Sequence, residues 1–128
     1  MFLTALDIKA LPDPNMWSVD APLIWFDERH GKITVPAGEM TDLASIPRLF
    51  QNILNVNGYA RRPAVLHDFL YRYSRTDAGK VLTRSECDGI FLTALEIEGS
   101  GAVERHALWI GVRMGGWAPY GNYRKLGR

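Results

Sequence analysis

The chain predicts an α+β fold: an N-terminal antiparallel hairpin or small sheet followed by three to four helices. Three observations carry that expectation. Leu23-Ile24-Trp25-Phe26 and Lys32-Ile33-Thr34-Val35 flank Asp27-Glu28-Arg29-His30-Gly31, a polar segment ending in a glycine able to take positive φ. Apolar residues after Pro63 recur at helical spacing. Thr83-Arg84-Ser85-Glu86 has the reciprocal pattern of a capping box, in which Thr83 accepts from a free backbone N–H and Glu86 reaches back.

Taken in order, Phe2 to Ile8 and Trp17 to Val19 are further strand candidates, separated by Pro12 and Pro14. Residues 1–40 are therefore mostly strand, and 41–62 form a loop with a short helix at Leu49-Phe50-Gln51-Asn52-Ile53-Leu54 and a turn at 55–59. Pro63 suits a first helical turn, where its missing N–H is not needed, and the helix runs to about Tyr73. Val65, Leu66, Phe69, Leu70 and Tyr73 define its buried face. Ser74 to Leu82 is a loop. The helix after Thr83 turns Cys87, Ile90, Phe91, Ala94 and Leu95 inward and ends at Gly99. Ser100 caps a last helix through about Met114, with Val103, Ala107, Ile110 and Met114 as its apolar stripe. Residues 117–128 are a tail, and 1–128 read as a single domain.

Composition sets bounds. The 128 residues suffice for one core, and 47% hydrophobic with 23% charged residues is the balance of a folded globular protein. A net charge of +1 gives no reason to expect nucleic-acid binding. The single cysteine, Cys87, rules out an intrachain disulfide and reads as a small buried hydrophobe rather than a nucleophile. No apolar run reaches the roughly 20 residues of a membrane span, and the N-terminus lacks a secretory signal. The absence of disulfides suits a reducing cytoplasm.

The chemistry-bearing residues centre on His67-Asp68-Phe69-Leu70-Tyr71, with Asp88 further along in an apolar stretch. Paired helices bring His67 and Asp88 together if the pair is offset or crosses steeply. Asp88 would then fix the imidazole tautomer, leaving the other ring nitrogen to take a proton from water in a solvent-filled notch. Tyr71, at i+4 from His67, shares its face and reaches an aspartate. Asp68 points about 100° away, toward the loop holding Asp42, and two hard carboxylates with a backbone carbonyl suit Ca²⁺. The bland alternative is a His-Asp pair that caps or salt-bridges a buried helix. Ser45 as a nucleophile and a zinc site on His67 are weaker options, since Ser45 suits a turn before Pro47, and His30 and His106 lie in unrelated segments.

These residues resemble the secreted phospholipase A2 family, in particular its bacterial and fungal branch. The matches are the His-Asp-Phe-x-Tyr core at His67, Asp68, Phe69 and Tyr71, with Asp88 on the antiparallel partner helix and Phe91 agreeing beside it. The resemblance spans residues 41 to about 95. It implies ester or phospholipid hydrolysis with His67 as base, Asp88 as its orienter and Tyr71 in support. It also implies Ca²⁺ held by Asp42, Asp68 and the carbonyl of Leu43. The series Thr41–Arg48, Ala64–Tyr71, Cys87–Phe91 and Val112-Arg113 is similar, over most of the chain, to a domain-of-unknown-function family of small tailed-phage and prophage proteins. That likeness implies a phage gene without an activity, its product expected in the host cytoplasm or the virion. It leaves open a non-catalytic virion or tail accessory protein, or an inhibitor binding a host protein partner.

Overall fold

The computed structural model describes residues 1–12, 16–41 and 60–115. The architecture is α+β: among the described residues, a three-stranded antiparallel sheet and a separate hairpin, then three helices. The sheet has the order β1 (Ile8–Ala10), β2 (Trp17–Val19), β5 (Met40–Thr41), with Ile8 opposite Val19 and Trp17 opposite Thr41. The hairpin joins β3 (Leu23–Asp27) to β4 (Gly31–Val35) in a register pairing Trp25 with Ile33.

The hairpin forms where the alternation places it. Leu23, Trp25, Ile33 and Val35 point inward and are buried, as the period of two requires. Asp27 closes the turn, its Oδ1 accepting from the backbone N–H groups of Arg29 and His30 at 2.8 and 2.9 Å. Gly31 then takes φ +88°, a conformation that favours glycine. The first residues differ from expectation. Phe2 makes an isolated bridge to Trp25, the segment runs along β3, and the strand proper starts at Ile8. Thr41, assigned to a loop from sequence, instead closes the sheet as the end of β5.

Three helices follow: α1 (Arg61–Tyr73), α2 (Arg84–Ile97) and α3 (Ala102–Gly115). Ser74 ends α1 in the left-handed conformation, its hydroxyl and N–H both donating to the carbonyl of Leu70. The connection to α2 is tied to the hairpin by Asp77, whose carboxylate accepts from the Thr34 N–H and hydroxyl. The capping box forms as read, and Gly99 follows α2 at φ +96°. Ser100 has a different job from the one expected. Its hydroxyl donates to the carbonyl of Leu95, satisfying an orphan acceptor at the end of α2.

The α3 stripe needs a correction. Val103, Ile110 and Met114 are exposed, and Leu108 and Val112 carry the buried face. Both stripes are apolar with helical spacing, so sequence alone did not say which one faces inward; contact with α2 decides it.

Two apolar clusters result. The hairpin's inner face packs on Val65, Leu66 and Leu70 of α1 and on Cys87, Ile90 and Ala94 of α2. Ala60 and Ala64 join Phe91, Leu95, Leu108 and Val112 in the second. α1 is thus covered on several sides, and eight of its residues from Pro63 to Tyr71 are buried. The short helix and turn expected at 49–59 and the tail at 117–128 lie outside the described residues.

Candidate functional site

The seam between the two clusters is polar. His67 sits near the middle of α1, because that helix starts two residues before Pro63. This shift supplies the offset that contact with Asp88, one turn into α2, requires. His67 Nε2 lies 2.7 Å from Asp88 Oδ1, and the Tyr71 hydroxyl donates to the same oxygen at 2.5 Å. The imidazole packs between two rings, with centroids 4.0 Å from Tyr71 and 4.8 Å from Phe91. Tyr71 belongs to one apolar cluster and Phe91 to the other.

The other oxygen of Asp88 faces α3. Arg113 Nη1 donates to Oδ2 at 2.9 Å, and Arg84 Nε lies 4.0 Å from the same atom. Arg84 also donates to the carbonyls of Val112 and Arg113, fastening the last turn of α3 to the first turn of α2. Two arginines, an imidazole and a phenol therefore surround one carboxylate.

Electrostatics follow from that crowd. Burial works against ionising Asp88, but the hydrogen bond and charge of His67, the Tyr71 hydroxyl and Arg113 outweigh it and hold the carboxyl below its ordinary range. Burial first, then the bond to Asp88, pushes the Tyr71 phenol well above its ordinary value, so Tyr71 remains a donor. With Asp88 ionised, the Nε2 position of His67 carries a proton toward it. Nδ1 is left over: it is buried and has no hydrogen-bond partner among the described residues.

Of the residues singled out from sequence, the structure brings His67, Tyr71 and Asp88 together. It does not put them in an open notch: all three are fully buried. Two cavities lined by described residues lie elsewhere. Asp68 is also buried, with Arg72 Nη2 at 3.5 Å from its Oδ2. Asp42, Leu43 and Ser45 lie outside the described residues. Among the described residues no group of three His, Cys, Asp or Glu side chains could hold a metal ion. Cys87 is buried, its thiol 3.8 Å from the carbonyl of Leu70, consistent with a small core residue.

Arg84 and Arg113 were not legible as site residues. Arg113 appeared only as half of a Val-Arg pair, 25 positions beyond Asp88, and nothing in local spacing links a helix's last turn to an aspartate one helix earlier. Arg84 stood at i−4 from Asp88, a spacing that signals a helical ion pair.

The chain belongs to the family described as "Protein of unknown function (DUF1353)", whose model matches residues 17–112. The match takes in β2 through nearly all of α3, with His67, Tyr71 and Asp88 inside it and Arg113 one residue beyond. No curated protein and no solved structure matches the chain.

Proposed function

We propose that this DUF1353 protein is a hydrolase of carboxylic esters, of phospholipase A2 type, with His67 as its general base. The observation that supports the reading is the asymmetry of one imidazole. Nε2 is held by a buried carboxylate at 2.7 Å, while Nδ1 is buried and meets no partner among the described residues. An unsatisfied buried polar atom costs about 1–3 kcal/mol, so a fold that keeps one at the centre of a charged cluster invites a functional explanation. In the proposed reaction Nδ1 takes a proton from water as the water oxygen attacks the ester carbonyl. The carbon–oxygen bond to the alcohol then breaks, and the imidazolium returns the proton to the leaving alkoxide. Asp88 stabilises the imidazolium and fixes the ring, and Tyr71 holds Asp88 in place. Because the imidazole has no exposed surface, turnover requires the seam to open.

The calcium set implied by the phospholipase resemblance needs Asp42 and the Leu43 carbonyl beside Asp68. Asp68, its described member, has a guanidinium 3.5 Å away. A cation so placed competes with a metal, so Asp68 as positioned does not fit a calcium ligand, and no step here runs through the ion.

The burial of His67 favours a second reading from another class: a non-catalytic protein, of phage origin by its sequence likeness, that binds a partner protein. There the cluster would pin α1, α2 and α3 together. A continuous titration of acid released from short-chain phosphatidylcholine and carboxylic esters separates the two. Under the hydrolase reading the natural chain turns over and His67→Ala loses about 10²–10⁴-fold. A folded natural chain without turnover, or an unchanged rate in His67→Ala, refutes it. Lowered thermal stability in His67→Ala beside a silent natural chain supports the second reading.

A further inference from the structure

A cavity of about 830 Å³ lies on the other side of α2, between that helix and the β3–β4 hairpin. Its volume falls among those of small-molecule sites, roughly 300–1,000 Å³. On α2 it is lined at positions 85, 86, 89, 90, 93 and 97, a helical face about 18 Å long at 1.5 Å per residue. It shares no residue with the His67 cluster.

Three features mark it as a place for a ligand. Trp25 lines it, and the indole N–H of Trp25 is buried without an acceptor among the described residues. Phe26 and Ile97, which also line it, are 45% and 53% exposed, large apolar surfaces left to water. The third is Gly89. Glycine inside a helix is disfavoured relative to alanine, and here neither backbone conformation nor packing calls for it. A Cβ at this position would meet nothing within 4 Å and would project into open space. The effect of glycine there is to leave the middle of the cleft clear.

We infer that this cleft binds a medium-chain acyl compound, its chain lying along α2 over Phe26, Ile90 and Ile97 and its carbonyl oxygen accepting from Trp25. The rim carries Asp27, Glu28 and Glu86 as well as Arg29 and His30, so net charge does not select the acid over the ester, and the shared group is the acyl carbonyl. Phe26, Ile90 and Ile97 give the chain an apolar track beside the Trp25 donor, while Ser85, Glu86 and Thr93 on the same face of α2 offer polar groups to the head.

The test is titration of the full chain with sodium decanoate and, separately, methyl decanoate, following the Trp25 indole N–H by ¹H–¹⁵N NMR. A saturable shift of that resonance with either probe is expected; response to one alone identifies acid or ester as the source. Gly89→Phe, which fills the cleft from an unobstructed position, should weaken binding at least tenfold, with Gly89→Ala intermediate. His67→Ala should bind as the natural chain does, so this inference stands or falls apart from the hydrolase reading. No saturable shift with either probe, or unchanged affinity in folded Gly89→Phe, overturns it.

Discussion

Replacing Asp88 by asparagine removes a charge while keeping the shape, and its consequences can be worked from the site. The carboxylate accepts from His67, Tyr71 and Arg113. A hydrogen bond to a charged group contributes about 1.5–3 kcal/mol and a neutral one about 0.5–1.5 kcal/mol. Loss of charge at three such bonds therefore costs on the order of 3 kcal/mol, before counting the amide, which presents a donor where one oxygen stood. In a chain this size that corresponds to a fall in Tm of roughly 10 °C. The pH dependence follows in sign. The folded carboxyl of Asp88 lies below its ordinary value, so its contribution is complete above the unfolded value of about 3.9. That contribution drains away as pH falls from there through the folded value. Asp88→Asn should melt lower at neutral pH and lose stability less steeply under acid. Calorimetric or circular-dichroism melts between pH 2 and 7 would measure both. A Tm within about 2 °C of the natural chain and an unaltered acid limb would refute the claim that this carboxylate is ionised and held by its neighbours.

Tyr71→Phe keeps the ring against His67 but withdraws the 2.5 Å donor from Asp88, so denaturant unfolding should show a loss of about 1.5–3 kcal/mol. Under the hydrolase reading its rate should fall by less than that of His67→Ala, since Asp88 retains His67 and Arg113. Thr83→Ala removes the side chain that accepts from the Glu86 N–H and should cost about 1 kcal/mol by the same measurement. For calcium, the resemblance and the Arg72–Asp68 contact point in opposite directions. From the contact, calorimetric titration should yield no binding heat in the natural chain; heat that vanishes in Asp68→Asn would restore the metal site.

How much could be read beforehand depended on how local each signal was. The hairpin, the capping box and the glycine after α2 are specified by neighbouring residues, and each formed where its pattern lay. His67, Tyr71 and Asp88 were also legible, because i, i+4 spacing on one helix and an aspartate in an apolar stretch of the next suggest a buried polar contact. Their depth was not legible. Burial depends on Phe91 closing over the ring and on α3 covering Asp88, and both depend on tertiary packing.

The α3 helix shows why the two failures are one. With Val103, Ala107, Ile110 and Met114 read as the inward stripe, Arg113 lies on its flank, about 90° away at 100° per residue, and receives no partner. Leu108 and Val112 are the residues that dock in the second cluster, and Arg113, on the flank of that face, reaches Asp88 with its long side chain. Arg84 locks the same turn through its bonds to the carbonyls of Val112 and Arg113. One choice of helix face thus sets both the second core and the charge balance around Asp88. That choice leaves an exposed apolar stripe on the opposite side of α3, a cost in solvation accepted together with a buried carboxylate held from three helices. Any account of what His67 does has to include α3, since its last turn supplies the cation that the first two helices lack at Asp88 Oδ2 apart from the more distant Arg84.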